Sequence, residues 1–485
     1  MIDRTLEKAV LWTAIEAAKA TGGQTRGEWS ARGVSIDSRT VEPGDLFIAI
    51  AGPSFDGHDF VSDALARGAV AAIVSHPIGD GVSDDKLLLV DDCFAALWNL
   101  GGAARGRTSA TVIAVTGSVG KTGTKDALKK TLGRHSSVHA SKGNLNNHWG
   151  LPLSLARLPR DADYAVLEMG MNHSGEISPL TRLARPHVAM ITTVQPVHSE
   201  FFASVEEIAD AKAEIFEGVE KGGVAVLNRD NPFFDHLASA ARKSGIERIV
   251  SFGAHETTDV RLLGVQQQSD GSLVRAVVGS ETIRFNIGIP GRHWVENGLA
   301  VLATVWAAGG DVVAVAASLA DLQAPKGRGQ CHSVPIGDGA FDLIDESYNA
   351  SPISMGAAFE NLGLATPQGD GRRIAVLGDM LELGTLSPDM HAALAEPLQR
   401  NRIAKVFTAG TDMARLWDAL PNDMRAGHAA DAETLAPMVT AAVRPGDVVM
   451  VKGSAGSRTA KVVEALLALG SDDGDTSSKI VVNGS

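Results

Sequence analysis

The stretch that most constrains this chain is Thr111–Thr124, TVIAVTGSVGKTGT. TVIAV has the length and β-branched content of a buried strand. It runs into a turn of small residues, and a helical pattern begins at Lys121. Strand, loop and helix in that order form the setting of a phosphate-binding loop. Gly117 and Gly120 let the backbone approach phosphate oxygens with its N–H groups turned inward, and Ser118 and Val119 lie between them. The helix start adds partial positive charge. Lys121 is placed to reach β- and γ-phosphates, and the Thr122 hydroxyl to ligate magnesium. The full Walker pattern wants glycine at position 115, where this chain has Val115. The motif is therefore the shorter G-x-x-G-K-T form. The alternative is a glycine-rich turn carrying an exposed lysine.

Around this loop the chain reads as α/β throughout, in three domains. Residues 1–108 suggest a small α/β domain, opening on an amphipathic helix from about Thr5 to Ala20. GVSIDSRTVEPGDLFIAI then gives a strand, a turn at Pro43-Gly44-Asp45 and a second strand. Residues 109–323 alternate apolar runs (TVIAV, YAVLEM, VAMITTV, VAVL) with helical patterns, which implies a doubly wound, mostly parallel sheet. Between Asp259 and Asn286 short alternating segments around Asp270-Gly271 suggest an antiparallel excursion at a sheet edge. Residues 324–470 open with PKGRGQ and continue as a third, dinucleotide-fold-like α/β series. The tail 471–485, SDDGDTSSKIVVNGS, has the composition of a disordered segment.

Forty-four basic against 57 acidic residues leave a net charge of −13. With no basic stripe, a general nucleic-acid binder is not expected. Cys93 and Cys331, far apart, read as reduced thiols of a cytoplasmic protein. Asp3 and Glu7 precede a short apolar stretch, so no signal peptide is expected. Leu299–Ala308, the most apolar helical run, is too short to cross a bilayer.

Several residues outside the loop could carry chemistry. Glu168 ends the strand YAVLE, at the edge of an open sheet where ligands bind, and beside a phosphate loop it is a magnesium-ligand candidate. His198 follows VAMITTV at the same edge. Lys212 lies in SVEEIADAKAEIF, where its plain reading is a solvated helix lysine. Asn144, Asn146 and Asn147 in GNLNNHWGLPLSL are helix caps or substrate contacts. His293 and Asn297 share a helix face, and an Asn amide can pair with an adenine edge. Arg328 sits in the hinge between the second and third domains, placed to meet a phosphate on closure. Asp345 ends a strand, and Ser38-Arg39 could hold a phosphate or a uracil edge.

Taken together, these motifs resemble the Mur ligases, the ATP-dependent amide-forming enzymes of peptidoglycan synthesis. The resemblance runs from about residue 30 to 465, and the family's loop lacks the same glycine. GNLNNHWGLPLSL, LEMGMNHSGEI, LIDESYNASPISM and VLGDMLELG favour the branch that adds D-alanyl-D-alanine. The alternatives are the diaminopimelate- or lysine-adding branch, which carries a Tyr-Ala-His-Thr-Pro type stretch in place of SYNASP, and a non-ligase P-loop nucleotide-binding protein. Two departures stand out: VKGSAGSRTAKVV where the family shows Lys-Gly-Ser-Arg, which displaces Arg458, and Ser351 where Asn is common.

The resemblance implies ATP and Mg²⁺ as cofactors. It implies UDP-N-acetylmuramoyl-tripeptide and D-alanyl-D-alanine as substrates, and a cytoplasmic monomer without membrane insertion. Lys121, Glu168, His198 and Lys212 would be catalytic, with Lys212 carbamylated. Thr122, Glu168, His198 and Lys212 would hold metal. Gly117 to Thr122, His293, Asn297, Arg328 and Asp345 would bind ATP. Ser38, Arg39, the three asparagines, Tyr348 and Asn349 would bind substrate.

Overall fold

The computed structural model describes residues 9–472, apart from 53–54, 80, 197–199 and 269. Thr111–Thr116 is an interior strand of a nine-stranded sheet. Alternate side chains of this strand point to opposite faces. Ile113 and Val115 join Val166, Met190, Val226 and the helix Arg292–Ala307 in one core. Val112 and Ala114 join Leu167, Ile191 and Leu227 in the core on the other side. A run that is apolar at every position is thus buried on both faces, as parallel strands require.

The strand order places Thr111–Thr116 between Tyr164–Glu168 and Val188–Ile191. The chain leaves Thr116, builds Val138–Ala140 and Tyr164–Glu168 on one side, then crosses to build Val188–Ile191, Val224–Asn228 and Arg248–Gly253 on the other. The connections after strands 111–116 and 188–191 therefore diverge, which opens a crevice at their carboxyl ends. The expected antiparallel excursion is present: Val260–Gln268, Gly271–Val278 and Glu281–Ile287 form the sheet's edge, with Gln268 paired to Gly271 at the turn.

The N-terminal sheet has five strands, with Gly33–Ser35, Asp45–Ile48, Ala71–Val74 and Leu87–Leu89 parallel and Gln24–Thr25 antiparallel. The third sheet has six. Gly339–Glu346, Val448–Lys452, Arg373–Gly378, Lys405–Ala409 and Arg425–Ala429 are parallel, and Gln330–Ile336 is an antiparallel edge. The sequence pattern does not announce that edge strand, because Pro335 within it removes a ladder donor and demotes the run; only an edge tolerates it. The three sheets span residues 24–89, 111–287 and 330–452, so the boundaries expected near 108 and 323 fall between sheets.

The expected helix from Thr5 to Ala20 is corrected. Residues 1–8 lie outside the described residues, Trp12–Thr13 pairs with Ser30–Ala31, and the helix runs Ala14–Thr21. Thr13 and Glu16 form a reciprocal capping box that fixes the helix start, and Trp12 Nε1 donates to Ala156 O at 2.9 Å. At the other end the helix Ala460–Asp472 takes in the first two positions of the expected tail; the tail from 473 lies outside the described residues.

The first two sheets share a core. Leu97, Leu100 and Ala104 of the helix Cys93–Arg107 pack with Leu46, Ile73 and Leu88 on one side and Leu153 and Ala156 on the other. The cores of the third sheet draw only on residues 334 and later. Leu100→Ala, at a fully buried position, is therefore expected to cost about 2–5 kcal/mol. The loss should appear in the denaturant transition of the N-terminal and central units together, and Leu362→Ala should instead move the transition of the third unit. Equilibrium unfolding followed by tryptophan fluorescence and circular dichroism checks both.

Candidate active site

A cavity of 680 Å³ opens at the diverging strand ends and is closed on its far side by the third unit. Its floor is the loop Gly117–Gly120. Gly117 (φ 148°) and Gly120 (φ 87°) adopt backbone angles closed to most L-residues. A Cβ on Gly117 would lie 1.9 Å from Thr192 Oγ1, and one on Gly120 would lie 2.9 Å from Asn297 Oδ1. Both glycines are thus demanded by neighbours packed on the loop as well as by its turn. The Thr192–Gln195 segment holds the loop in shape. Thr192 Oγ1 donates to Val119 O at 2.6 Å, Ser118 Oγ donates to Gln195 O at 3.0 Å, and Gln195 N donates back to Ser118 Oγ at 2.9 Å.

The helix Lys121–Leu132 begins without a side-chain cap, so its first N–H groups face the cavity unmet. Lys121 curls back over the loop, with Nζ donating to Gly117 O at 2.6 Å and Ser118 O at 3.3 Å. Desolvation lowers its pKa, Glu168 opposes that shift, and Arg328 adds to it. Loop, lysine and arginine thus converge on one space.

Glu168, 1% exposed, is the carboxylate of this floor. Its Oε1 accepts from Thr122 Oγ1 at 3.1 Å and Asn146 Nδ2 at 2.8 Å. Its Oε2 is buried without a hydrogen-bond partner, as is Gln195 Oε1. Among the described residues no group of three or more His, Cys, Asp or Glu is assembled. A hydroxyl beside one carboxylate with an orphaned oxygen is the sparse, hard-oxygen set that magnesium uses when phosphates and water complete its shell. The residues present fit that ion.

His293 and Asn297, one turn apart on the helix Arg292–Ala307, both line the cavity. Asn297 Oδ1 accepts from Thr124 Oγ1 at 3.3 Å. His293 Nδ1 is enclosed without a partner, and desolvation lowers its pKa. From the third unit come Arg328, stacked 4.2 Å over the Tyr348 ring, and Asn349. Asn144 and Asn146 line the opposite wall.

Other candidates fall elsewhere. Asp345, 2% exposed, spends its carboxylate on Gly327 N (3.1 Å), Ser347 N (3.1 Å) and Ser347 Oγ (2.6 Å), so it braces the hinge and is not part of the cavity wall. Asn147 Oδ1 accepts from Trp149 N and Gly150 N, at the turn that leads into the helix Gly150–Ala156. Ser38 and Arg39 form a turn of the N-terminal unit away from this cavity, with the Arg39 guanidinium 83% exposed and 2.8 Å from Asp37. His198 lies outside the described residues.

Lys212 reverses its plain reading. In the helix Val205–Ala213 it is 2% exposed, and burial, with Lys121 nearby, holds its pKa well below the ordinary lysine value.

Reasoning from the sequence passes over Lys125, Thr192, Glu346 and Lys452. Lys125 follows Lys121 by four and so shares its face, which is the one signal the sequence offers for it. Lys452 Nζ donates to Glu346 Oε2 at 3.2 Å and to Asn349 O at 3.0 Å, at the third unit's wall of the cavity. Arg458, in the left-handed region at φ 56°, lies 3.5 Å from Glu433 and lines a separate cavity of 220 Å³ at the carboxyl ends of the third sheet's strands.

Comparison with known proteins identifies the chain's family. Three family models match: Mur ligase family, catalytic domain, over residues 30–88; Mur ligase middle domain over 115–305; and Mur ligase, glutamate ligase domain, over 327–455. The UDP-N-acetylmuramoyl-tripeptide–D-alanyl-D-alanine ligase of Rickettsia prowazekii is 34% identical, over 94% of this chain and 99% of its own. The ligase of the same name from Bacillus subtilis is also 34% identical, over 90% and 93%. Among solved structures, MurF from Acinetobacter baumannii superposes with a TM-score of 0.81 at 29% identity, covering 94% of this chain and 99% of that one. MurF ligase from Thermotoga maritima in complex with ADP superposes with a TM-score of 0.74 at 29% identity, covering 92% and 99%. With all three of its parts matched in order, this chain belongs to the Mur ligase family.

Proposed function

We propose that this chain joins D-alanyl-D-alanine to UDP-N-acetylmuramoyl-tripeptide at the cost of ATP, as a cytoplasmic enzyme of peptidoglycan precursor synthesis working as a monomer. No described helix is long and apolar enough to cross a membrane. The observation that carries the reading is the cavity in which a phosphate loop and Glu168 face Arg328 of another unit. A site that must unite three substrates is best built between units that can part and close.

In this reading the terminal carboxylate of the tripeptide attacks the γ-phosphorus of ATP, and ADP leaves. The amine of the dipeptide adds to the carbonyl of the acyl phosphate. The tetrahedral intermediate expels inorganic phosphate, and the amine's proton passes to solvent. The first step brings two anions together, so the protein's contribution is positioning and charge neutralisation. Lys121 exchanges its loop carbonyls for phosphate oxygens, the loop amides take the β-phosphate, and Arg328 meets the γ-phosphate. Thr122 and Glu168 would hold magnesium, which when bound supplies the charge that shields the approaching carboxylate. Asn297 and His293 hold the adenine, and Asp345 keeps the hinge loop in register. Asn144 and Asn146 face the peptide, Tyr348 and Asn349 the reacting end, and Ser38 and Arg39 the uridine end.

Phosphate release with UDP-linked tripeptide should require D-alanyl-D-alanine. Release that ignores the dipeptide would replace this reading with a simple nucleotide hydrolase. In the same assay Lys121→Ala should lose at least about 10²-fold in turnover, the scale of one removed transition-state donor.

Gly327 (φ 74°) and Gly329 (φ 98°) give the hinge its freedom, and a Cβ on Gly327 would come within 2.9 Å of Tyr348 Cβ. Saturating ATP analogue and UDP-peptide should therefore reduce the radius of gyration in solution scattering. Gly327→Ala should blunt that change; an unchanged radius in the parent would remove the moving third unit from the mechanism.

Lys212 is assigned a carbamate: the neutral amine attacks carbon dioxide, loses a proton and becomes an anionic group able to act as an oxygen ligand. The lowered pKa of Lys212 supplies the neutral amine. The same shift has a stability sign. The unfolded chain protonates this lysine more readily than the folded one, so unmodified Lys212 costs stability below the unfolded pKa, and the cost fades as pH rises toward it. In bicarbonate-free buffer at neutral pH, Lys212→Met should therefore be nearly inactive yet at least as resistant to heat as the parent. Short carboxylates should restore part of the activity, and Lys212→Arg should not. Full activity of Lys212→Met would remove the carbamate from the mechanism.

A further inference from the structure

We propose that Lys125 is a positioning residue that couples the asparagine loop at 143–147 to the metal-side carboxylate, so that metal held with the nucleotide and order in that loop reinforce one another. The inference rests on the ligase reading of the cavity.

Lys125 is 0% exposed, and burying an ammonium is costly unless it is well paired. Its partners therefore define its purpose. Nζ donates to Gly143 O at 2.9 Å, and it lies 3.1 Å from Asp126 Oδ1 and 3.9 Å from Glu168 Oε2. Lys121, one helical turn earlier, serves the phosphate loop. One helix thus presents two lysines on one face, the first to the nucleotide and the second to the loop.

The loop is clasped from both sides. Gly143 turns in the left-handed region at φ 58°, and a Cβ there would meet nothing within 4 Å, so its conformation, not crowding, aims its carbonyl at Lys125. Three residues on, Asn146 O accepts from Gly170 N at 2.8 Å, and Asn146 Nδ2 donates to Glu168 Oε1. Lys125 and Asn146 therefore reach opposite oxygens of one carboxylate, and both are tied to the same short loop. Displacing the loop moves both restraints on Glu168. By linkage, whatever fixes Glu168 steadies the loop, and the reverse.

The test uses the full chain with ADP as probe, in EDTA and with Mg²⁺, read by calorimetry. Lys125→Met should weaken ADP binding about 10–100-fold when Mg²⁺ is present, the usual scale for losing a group that orients a metal ligand. In EDTA the change should stay within about twofold, because the phosphate loop itself is untouched, and Lys125→Arg should recover most of the metal-dependent affinity. In the parent protein, adding Mg²⁺ to the ADP complex should slow amide exchange over residues 143–147, a measurement that decides the matter even if Lys125→Met fails to fold. Equal weakening with and without metal, or exchange that ignores Mg²⁺, would overturn the proposal. None of these readouts uses the peptide substrates, so failure to make the amide would sink the ligase reading separately.

Discussion

The carboxylate of Glu168 is the interaction on which the site depends. It ends a strand that pairs in register with the strand feeding the phosphate loop, Glu168 opposite Val115. The sheet ladder thereby fixes the carboxylate at one height beside the loop. Buried at that depth, an ionised carboxylate is tolerable only with donors and charge close by. Thr122, Asn146 and Lys125 supply them from two different segments. The oxygen left without a donor is then the place where a cation gains most.

The lysines show the opposite imbalance. Lys121, in the cavity wall, and Lys212, buried outside that wall, are both drawn below their ordinary pKa by burial, and each feels another cation, Arg328 for the first and Lys121 for the second. In a chain of net charge −13, Lys121, Arg328 and Lys452 bring local positive charge into the cavity wall. A polyphosphate relieves that crowding, and the relief is largest when Arg328 is brought in with the third unit. The shared core of the first two units and the separate cores of the third give this arrangement one firm floor and one wall able to move.

Much of this was legible in the chain. The strands of the central sheet announce themselves as apolar, β-branched runs, and the phosphate loop by glycine, lysine and threonine at fixed spacing. The misses have local causes. Thr13 and Glu16 cap a helix that periodicity alone extends too far toward the N-terminus. Pro335 hides an edge strand. Asp345 sits at a strand end, where ligands usually bind, but the backbone of the hinge claims its carboxylate first.

By itself the sequence determined the central strand–helix alternation, the phosphate loop and the family pattern, because these depend on residues close together in the chain. It singled out Lys121 through the phosphate-loop motif but could not rank the lysines outside it. Lys125 and Lys212 lie in polar helical patterns, and each reads locally as a solvated side chain. Only the tertiary structure decided that Lys125 and Lys212 are buried, and that Lys125 is shared between Gly143 and Glu168. The reason is physical: a side chain's solvation depends on which distant segment packs over it, and no local pattern of residues carries that information.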